Sequence, residues 1–465
     1  MKKIFSFLLL TLICFSLLAC SAEPSIQEDI QQEEPAVDMD GYEFLILQEY
    51  KVVDPFGYKE TTIYADEMLA RFDRLEQKYN CLINVSNDGG GDADLLKYVQ
   101  ANLSVGENIG EALYAVNSNM NAVFAYAGYL YPLTDVKEFL NYENSEKFGS
   151  AKLLEMSMLN SIPYTVYAVS LPEKVEAAIV FSIFVINENL IKNYNLTDPR
   201  EFVEQGSWSF DKLTEILPTY HIKEGELEYK ALGTTKDYFV KNAVLSNGVK
   251  YIQMVDDVIS TDIYTDKAIN AINYAKNVFD LYSDDLMIEP NYWTKQVLNA
   301  FKRGELVMGM ICTPEIQSDI ATAVDNFGIV PFPCGPDVEY GEWGADVMCA
   351  QGMSIFMNAE SPEYAATLID ECLSPIEGEE TLEDRVSAAM RKTYFDERDA
   401  KIMMTLLNKA RYNYWTVGGN DFWTNAGNAI SKSTGAEIVQ KYGASIEKVV
   451  EKYISTNYDY MSAHE

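Results

Sequence analysis

Histidine is nearly absent from this chain of 465 residues, which contains only His221 and His464. A zinc-binding helix of the H-E-x-x-H type needs two histidines four positions apart, so that class of metalloenzyme is not expected. Positive charge is also scarce: 36 Lys and Arg residues stand against 71 Asp and Glu residues, a formal net charge of −35. Because cations that neutralise phosphates supply most nucleic-acid affinity, we expect no nucleic-acid partner.

The local motifs of several other enzyme classes are missing as well. The glycines that follow Asp88 are not followed by the Gly-Lys-Ser/Thr of a P-loop. The same stretch does not match a calcium loop, because position 12 counted from Asp88 is Val99 rather than glutamate, and a solvated turn is the simpler interpretation. No G-x-S-x-G nucleophile elbow occurs. Paired carboxylates for glycoside hydrolysis stay an open alternative, since 71 acids offer many pairs.

Cysteine follows no metal or redox pattern. Beyond the N-terminal segment the cysteines are Cys81, Cys312, Cys334, Cys349 and Cys372. This odd number with irregular spacing does not form a disulfide framework. We expect buried thiols that pack as small hydrophobes, with a single Cys334–Cys349 disulfide as the alternative. No metal and no cofactor are expected.

Two lysines and an apolar run open the chain. Lys2 and Lys3 precede residues 4–19, a run that is short for a membrane-spanning helix but suits the core of a signal peptide. It ends in Leu17-Leu18-Ala19-Cys20, which resembles the lipobox of bacterial lipoproteins. The resemblance implies a signal peptide over residues 1–19, cleavage before Cys20 and lipid on its sulfur. An ordinary signal peptide with an incidental cysteine is the alternative.

The segment that follows Cys20 is acidic and has no apolar periodicity. Residues 21–40 read SAEPSIQEDIQQEEPAVDMD and contain no Lys or Arg. Such a composition is typical of a disordered, self-repelling tether, which fully extended would reach roughly 65–70 Å. Residues 20–40 are therefore predicted to hold the protein near the outer face of a membrane.

From residue 41 onward, short apolar runs alternate with helical periods. The patterns predict strands at 43–48, 81–86 and 112–116. Helices are predicted to follow them at 64–79, 95–104 and 120–129. This alternation predicts a parallel sheet that is covered on both faces.

Ligands of open parallel sheets bind beyond the carboxyl ends of the strands. Tyr50 and Asp54 follow the first predicted strand, and Asn117 and Asn119 follow the third. These four residues are therefore candidates for contact with a ligand.

A second α/β unit is predicted to begin at residues 177–187, the most β-rich run of the chain. Helices are expected near 188–194, 210–217 and 266–283, strands at 306–312 and 327–333, and mainly helices after Glu360. Ser207 or Ser209 is suited to cap a helix. Trp208 between them is interpreted as a packing anchor rather than a ligand platform.

A set of segments in a fixed order resembles the bacterial extracellular solute-binding proteins of family 1, the carbohydrate-type receptors of ABC importers. The resemblance covers about residues 41–455. Its elements are FVINENLIKNYNLTDPREFVEQGSWSFDKL from Phe184, AFKRGELVM from Ala300, FGIVPFPCGP from Phe327, GMSI from Gly352 with PEYAA from Pro362, and Phe422-Trp423 with Gly435.

The resemblance implies an α/β, two-lobed, periplasmic-binding-protein-like fold of type II, in which the ligand lies in a cleft between lobes joined by a hinge. The expected division is 41–170 for the first part of lobe 1, 171–310 for the first part of lobe 2, 311–358 for a return to lobe 1, and 359–465 for helices that pack mainly on lobe 2. It also implies capture of a solute without catalysis.

Carbohydrate capture has a physical basis in the composition. Sugar rings have apolar C–H faces that lie on aromatic rings, and their hydroxyls need Asp, Glu, Asn or Gln partners. Aromatic residues make up 12% of the chain, with 31 Tyr. The resemblance at Phe422-Trp423 makes Trp423, with Asp421 beside it, the best stacking candidate, and core packing is the alternative.

Two further positions complete the predicted site. Trp343 lies in a glycine-flanked loop, where it is either a site residue or a fold-back anchor. Glu315 stands where maltodextrin-type members often carry an aromatic residue, so the resemblance does not by itself imply their sugar specificity for this chain. Trp293 and Trp415 are expected to cover packing surface.

The sequence therefore predicts a lipid-anchored, monomeric receptor on the extracytoplasmic face of a cell membrane, of the kind found on a Gram-positive surface. It would capture a carbohydrate, specifically an oligosaccharide, and deliver it to an ABC transporter permease in the membrane. The alternatives are a secreted glycan-degrading enzyme and a peptide-binding receptor of an importer.

Overall fold

A computed structural model provides the structure of the chain. The residues that it describes are 37–49, 56, 65–115, 121, 123–125, 127–155, 157–159, 161–167, 169, 178–180, 183–255, 258–345, 347–376, 381, 384, 396–409, 411–412, 420–448 and 451. The predicted signal peptide, Cys20, most of the acidic tether and Trp415 lie outside these residues. No helix within the described ranges combines the length and the apolar character needed to cross a membrane.

The strands of the described residues are short. They are β1 (Tyr42–Gln48), β2 (Cys81–Ser86), β3 (Ala112–Ala115), β4 (Met158–Leu159), β5 (Ile162–Pro163), β6 (Val166–Tyr167), β7 (Ala178–Val180), β8 (Ile183–Asn187), β9 (Ile222–Glu224), β10 (Leu227–Thr235), β11 (Gln253–Val255), β12 (Val258–Ser260), β13 (Leu286–Glu289), β14 (Leu306–Met310), β15 (Phe327–Pro331), β16 (Gly344–Ala345), β17 (Val347–Ala350), β18 (Gly352–Ile355) and β19 (Arg411–Tyr412).

Helices fill most of the sequence between the strands. They are α1 (Ala65–Tyr79), α2 (Asp92–Leu103), α3 (Ser145–Phe148), α4 (Ala151–Glu155), α5 (Glu188–Asn193), α6 (Pro199–Glu204), α7 (Phe210–Tyr220), α8 (Lys236–Ser246), α9 (Asp266–Leu281), α10 (Gln296–Lys302), α11 (Thr313–Glu315), α12 (Ala321–Ala323), α13 (Pro362–Cys372), α14 (Glu397–Lys409), α15 (Asn420–Ala429) and α16 (Gly435–Tyr442).

The first sheet has the strand order β2-β1-β3-β18-β6. Strand β1 runs parallel to both β2 and β3, with Ile46 opposite Val85 on one side and Ala112 on the other. This confirms the parallel arrangement predicted from the alternating pattern. Strand β18 then joins antiparallel to β3, so that a late part of the chain completes the sheet.

One face of this sheet has its own apolar core. Phe44 and Ile46 of β1 pack there with Met68 and Leu75 of α1, and all four side chains are buried. The helical spacing of these α1 residues is the one that the sequence predicts. Burial of each such side chain contributes about 1.5–3 kcal/mol, which explains why α1 lies against the sheet.

The second sheet has the main order β13-β10-β14-β8-β15. Strand β10 runs parallel to β13 and β14, whereas β8 is antiparallel to β14 and β15. The carboxyl ends of β10, β13 and β14 therefore meet at one edge. That edge carries the candidate site.

The β-rich run predicted at residues 177–187 contributes two strands, since β7 pairs with β17 while β8 enters the second sheet. The expected return to lobe 1 at residue 311 is too early, since β15 still pairs with β8. The five residues of β8 are all buried, and β14 and β15 supply the neighbours that cover both of its edges.

The antiparallel pair β7 and β17 connects the two sheets. Strand β7 leads into β8 of the second sheet, and β17 leads into β18 of the first. We call this pair the connecting ribbon.

The C-terminal helices divide between the two sheets. Helix α13 packs on α1 and β18 of the first sheet, whereas α15 and α16 pack on α8 and α9 beside the second. The sequence assigns this part mainly to lobe 2, and α13 is a helix that departs from that assignment. Its residues Leu368 and Ile369 are fully buried in the first core, where the apolar face of the helix finds its partner.

Trp208 anchors the second sheet, as the sequence predicts. Its side chain is fully buried, and its Nε1 donates to the carbonyl oxygen of Pro331 at 2.8 Å. The hydroxyl of Ser209 accepts a hydrogen bond from the backbone N of Lys212 and so caps α7. Cys81 and Cys372 are buried free thiols, which agrees with their predicted role. Cys334 is buried, and its pairing with Cys349 stays a prediction, because the Cys349 side chain is not described.

Candidate functional site

A cavity of about 710 Å³ lies at the carboxyl-end edge of the second sheet. Strand β10 ends at Thr235 and β13 ends at Glu289, and the residues that directly follow each strand line the cavity. Helix α15 supplies the remaining wall. Cavities of about 300–1,000 Å³ at such strand ends are typical sites for small molecules.

Aromatic rings and hydrogen-bonding groups share the lining. The aromatic residues are Tyr238, Tyr292, Trp293 and Trp423. The uncharged polar side chains are Asn291, Thr424 and Asn428, and the charged ones are Lys236, Asp237, Lys241 and Glu289. This combination offers flat apolar surfaces beside donors and acceptors.

Trp423 forms the deepest aromatic surface of the cavity. Only 3% of the residue is exposed, and its ring lies edge-on to Tyr251 with 5.0 Å between the ring centroids. Its Nε1 is buried and has no hydrogen-bond partner among the described residues. A buried donor without a partner costs about 1–3 kcal/mol, so an acceptor on a bound ligand would relieve that cost. The structure thus places Trp423 both in the core and in the lining of the cavity. The two alternatives that the sequence left open, core packing and a ligand contact, are therefore compatible.

A close helix–helix approach positions Trp423. Helix α15 lies so near the start of α8 that a Cβ on Gly427 would be 2.7 Å from the backbone N of Asp237. Glycine at this position therefore allows the contact. Trp423 lies four residues before Gly427 and therefore on the same face of α15. The close approach at Gly427 thus brings Trp423 next to the start of α8, which carries Tyr238.

Trp293 lies at the opposite extreme of exposure. It is 67% exposed on a short 3-10 turn, Tyr292–Thr294, that follows β13. Its backbone N donates to Oδ1 of Asn291 at 3.1 Å. The expectation that Trp293 covers packing surface is wrong, because the turn after β13 holds its ring away from the core and at the mouth of the cavity.

Hydrogen bonds of Tyr292 and Glu289 hold the turn that carries Trp293. The Tyr292 hydroxyl accepts a hydrogen bond from the backbone N of Cys312 at 3.1 Å, and the residue is buried. Oε2 of Glu289 accepts from the backbone N of Gln296 at 2.7 Å and of Val297 at 3.2 Å, which satisfies the start of α10. The wall formed by residues 290–295 is therefore attached to the sheet at both ends.

Glu315 supports this wall but is not among the described residues that line the cavity. Its carboxylate forms an ion pair with Lys295 and accepts a hydrogen bond from Sγ of Cys312 at 2.6 Å. Burial raises the pKa of Glu315 to about 7, and the nearby carboxylates of Asp319 and Glu289 act in the same direction. Lys295 and Cys312 each contact Tyr292 of the lining, so the predicted site residue lies two contacts away from the cavity.

A second polar edge lies at the carboxyl ends of β1, β2 and β3. Gln48 and Glu49 are buried there, and the Tyr114 hydroxyl donates to Oε1 of Gln351 at 2.6 Å. Asn87 donates from Nδ2 to the carbonyl oxygen of Gln48 at 3.1 Å.

The four residues predicted from these strand ends, Tyr50, Asp54, Asn117 and Asn119, lie outside the described residues. Their contact with a ligand stays a prediction.

The connecting ribbon lies near the carboxyl-end edges of both sheets. Helix α11, which contains Glu315, contacts β7 of the ribbon. Gln351 lies directly after β17 and binds Tyr114 of the first sheet. Both polar edges therefore approach the place where the chain passes between the sheets.

Trp343 and Asp421 are not among the described residues that line the cavity. Trp343 is 2% exposed and lies edge-on to Tyr340, with 5.2 Å between the ring centroids. This burial favours the fold-back anchor over the ligand contact. Asp421 is exposed in the first turn of α15. Ligand contact by either residue stays a prediction.

Comparison with known proteins identifies the fold. No protein-family profile matches the chain. No curated protein sequence matches it. Among solved structures, the cyclic α-maltosyl-1,6-maltose binding protein from Arthrobacter globiformis is similar, with a TM-score of 0.63 at 12% identity over 89% of this chain and 100% of that one.

Two further structures are comparable. A cyclo/maltodextrin-binding protein complexed with maltotetraose has a TM-score of 0.61 at 13% identity, covering 90% of this chain and 99% of that one. The UgpB protein from Mycobacterium tuberculosis, in complex with glycerophosphocholine, has a TM-score of 0.58 at 14% identity, covering 89% of this chain and 99% of that one.

The chain has the fold of ABC-transporter solute-binding proteins. The predicted periplasmic-binding-protein-like α/β architecture is thereby confirmed. Maltotetraose and glycerophosphocholine differ widely in chemistry, so this solute-binding-protein fold does not determine the ligand by itself.

Sequence reasoning missed Tyr238, Tyr292 and Trp293, which line the cavity. A usable signal was present, because Glu289-Pro290-Asn291-Tyr292-Trp293 joins the end of a strand to turn residues and two aromatic residues. The strand Leu286–Glu289 is not among the strands that the sequence patterns predict, so these patterns do not mark its end as a ligand site.

Proposed function

We propose that this protein is an extracytoplasmic receptor that captures a carbohydrate, specifically an oligosaccharide, and delivers it to the permease of an ABC importer. The observation that carries the proposal is the cavity at the edge of the second sheet. It combines four aromatic residues with amide and hydroxyl side chains and with the unpartnered Nε1 of Trp423. Sugars need both kinds of surface.

The charges of the lining support a neutral ligand. Lys236 and Lys241 are balanced by Asp237 and Glu289. The chain as a whole has a formal net charge of −35, which repels anions at long range. An uncharged sugar avoids this repulsion and still uses the polar groups for hydrogen bonds.

The proposal includes a second half of the site on the first sheet. Tyr50, Asp54, Asn117 and Asn119 directly follow strands whose carboxyl ends form the polar edge around Glu49. We propose that a ligand held in the cavity reaches these residues when the two lobes close around it. The bound sugar leaves chemically unchanged, since the protein is proposed to be a receptor and not an enzyme.

Membrane attachment is part of the same proposal. The Leu17-Leu18-Ala19-Cys20 sequence supports a lipid on Cys20, and the acidic segment after it supports a mobile tether. The lipid would keep the receptor near its permease.

Thermal melting of purified protein that begins at Ser21 tests the proposal. The panel would contain mono- and oligosaccharides, glycerophosphocholine, short peptides and calcium. A ligand at 100 times its Kd adds about 2.7 kcal/mol to stability, which raises the Tm by a few degrees for a chain of this size. A rise with an oligosaccharide that chromatography afterwards finds intact supports the receptor.

Two outcomes contradict the proposal. Cleavage of the stabilising sugar would make the protein an enzyme, and a rise with peptides or glycerophosphocholine alone would keep the fold but change the ligand class.

A further inference from the structure

The two tryptophans that line the cavity differ in their exposure to solvent. Trp423 at its base is 3% exposed, whereas Trp293 at its mouth is 67% exposed. Single exposed apolar side chains are common on protein surfaces and need no explanation by themselves. Trp293 differs from these because it lines a concave site and because several contacts hold it in place.

Two ring contacts and one backbone hydrogen bond hold Trp293 in place. The side chain of Asn291 accepts a hydrogen bond from the Trp293 backbone, and the buried Tyr292 ring lies edge-on to the indole at 5.7 Å. Nζ of Lys295 lies 5.2 Å from the centroid of the Trp293 ring and 4.3 Å from that of Tyr292. Such cation–π contacts contribute about 0.5–1 kcal/mol at exposed sites.

Lys295 is itself held in an uncommon conformation. Its φ of 56° lies in the left-handed region, which costs a non-glycine residue about 1–2 kcal/mol. The ion pair with Glu315 and the contact with Tyr292 keep it there. The exposed ring thus belongs to a turn whose geometry is maintained by the surrounding contacts.

We propose that Trp293 is an outer stacking platform that determines the length of oligosaccharide the receptor prefers. This inference rests on the proposed function. A sugar unit that binds against Trp423 lies at the base of the cavity, so the units that follow it in a longer chain extend toward the mouth. There the exposed indole offers them an apolar face that is already ordered before binding, which lowers the entropic cost of binding.

The inference predicts a dependence on ligand length that a purely structural role would not produce. Units near Trp293 exist only in longer ligands, so loss of the ring should weaken longer sugars and spare short ones. An aromatic stacking contact contributes about 0.5–1.5 kcal/mol. The upper end of that range corresponds to about a tenfold change in Kd.

Calorimetric titration of malto- and cello-oligosaccharides of two to six units provides the test. The variants are Trp293→Ala, Trp293→Tyr and the matched control Leu281→Ala, which removes another exposed apolar side chain, 73% exposed, from the end of α9. We expect Trp293→Ala to raise the Kd about tenfold for the longest sugars and less than twofold for disaccharides. Trp293→Tyr should restore most of the affinity, and Leu281→Ala should change nothing.

Other results overturn the inference in distinguishable ways. An equal effect of Trp293→Ala on every length, or no effect on any, contradicts the role of Trp293 while leaving the proposed function intact. A wild-type protein that binds neither oligosaccharide series contradicts the proposed function and this inference together. Unchanged melting temperatures of the free variants would show that the affinities report on binding rather than folding.

Discussion

At the scale of single residues, different substitutions of Trp423 separate the packing of its ring from the hydrogen-bond donor that its Nε1 offers. Its ring packs against Tyr251 and Phe422 in the core, while its Nε1 has no partner among the described residues. Removal of the whole side chain would therefore damage both the fold and the site. Removal of the donor alone addresses the site.

We predict that Trp423→Phe weakens sugar binding about threefold to tenfold, because one hydrogen bond contributes about 0.5–1.5 kcal/mol. Trp423→Ala should weaken binding at least tenfold and also lower the free energy of unfolding by about 3–5 kcal/mol, since the residue is 3% exposed. Calorimetric titration and urea unfolding of both variants provide the measurements. Unchanged affinity in Trp423→Ala would remove this residue from the site.

Glu315 provides a pH-dependent prediction at the same scale. Its pKa is about 7 in the fold and about 4.5 in the unfolded chain, so the native state holds the proton more tightly between these values. Stability from this carboxyl is fully present below pH 4.5 and is lost as the pH rises through 7. Glu315→Gln should therefore gain stability relative to the wild type between pH 5 and pH 8, on the order of 1–3 kcal/mol.

Urea unfolding of Glu315→Gln and wild type at pH 5 and pH 8 checks this sign. The groups that face the carboxyl are Lys295, Cys312, Asp319 and Glu289. If the Lys295 ion pair outweighs burial, the variant will instead lose stability as the pH rises, and the prediction will be wrong.

At the scale of secondary-structure elements, the contact between α15 and α8 decides where the inner aromatic surface lies. Gly427 permits that contact, because a Cβ there would meet the backbone of Asp237 at 2.7–2.9 Å. Backbone cannot move aside as a flexible side chain can. The two helices would have to separate.

We predict that Gly427→Ala lowers the free energy of unfolding by about 1–3 kcal/mol, the usual cost of overpacking, and weakens ligand binding by displacing Trp423. Asn425→Ala is the matched control, since Asn425 is exposed on the same helix. Alanine favours the helix there, so the control should keep or slightly increase stability. Equal stability of the two variants in urea unfolding would show that the close approach is not required.

At the scale of the whole molecule, two sheets joined by the connecting ribbon bring two polar strand-end edges toward the same region. The strongly negative net charge of the chain disfavours anionic partners in solution. The N-terminal segment adds the expected attachment to a membrane.

We predict that Cys20→Ser releases the protein from the membrane fraction into the medium, because a lipid chain on Cys20 would be the only anchor that the sequence suggests. Cell fractionation followed by immunoblotting measures the distribution. Cys14→Ser is the matched control, because Cys14 lies within the predicted signal peptide and should leave the anchoring unchanged. Continued membrane association of Cys20→Ser would contradict the predicted lipidation.

Part of the fold could be predicted from local patterns alone. The periodicity of Met68, Leu75 and Tyr79 located α1, and the apolar runs located β1, β2 and β3 within about one residue. Trp208 and the cap at Ser209 were predicted from the same kind of short-range chemistry. These features depend on residues close together in the chain, so the sequence carries them directly.

The candidate site could be predicted only in part, because some of its features depend on residues far apart in the chain. The Phe422-Trp423 motif predicts Trp423, and this residue lines the cavity. Trp293 is predicted to cover packing surface, because the turn residues around it do not tell whether its ring is exposed or buried. Its exposure depends on the turn held by Tyr292 and on Cys312, a residue twenty positions away that binds the Tyr292 hydroxyl. Long-range contacts of this kind leave no local signal.

The sequence by itself determined the alternation of strands and helices, the negative charge, the predicted anchor at Cys20 and the resemblance in the ordered segments. Only the tertiary structure decided that β15 stays in the second sheet, that α13 returns to the first, and that Trp293 and Trp423 share one cavity. The physical reason is that local patterns specify which face of an element is apolar. Which distant element covers that face depends on packing of the whole chain.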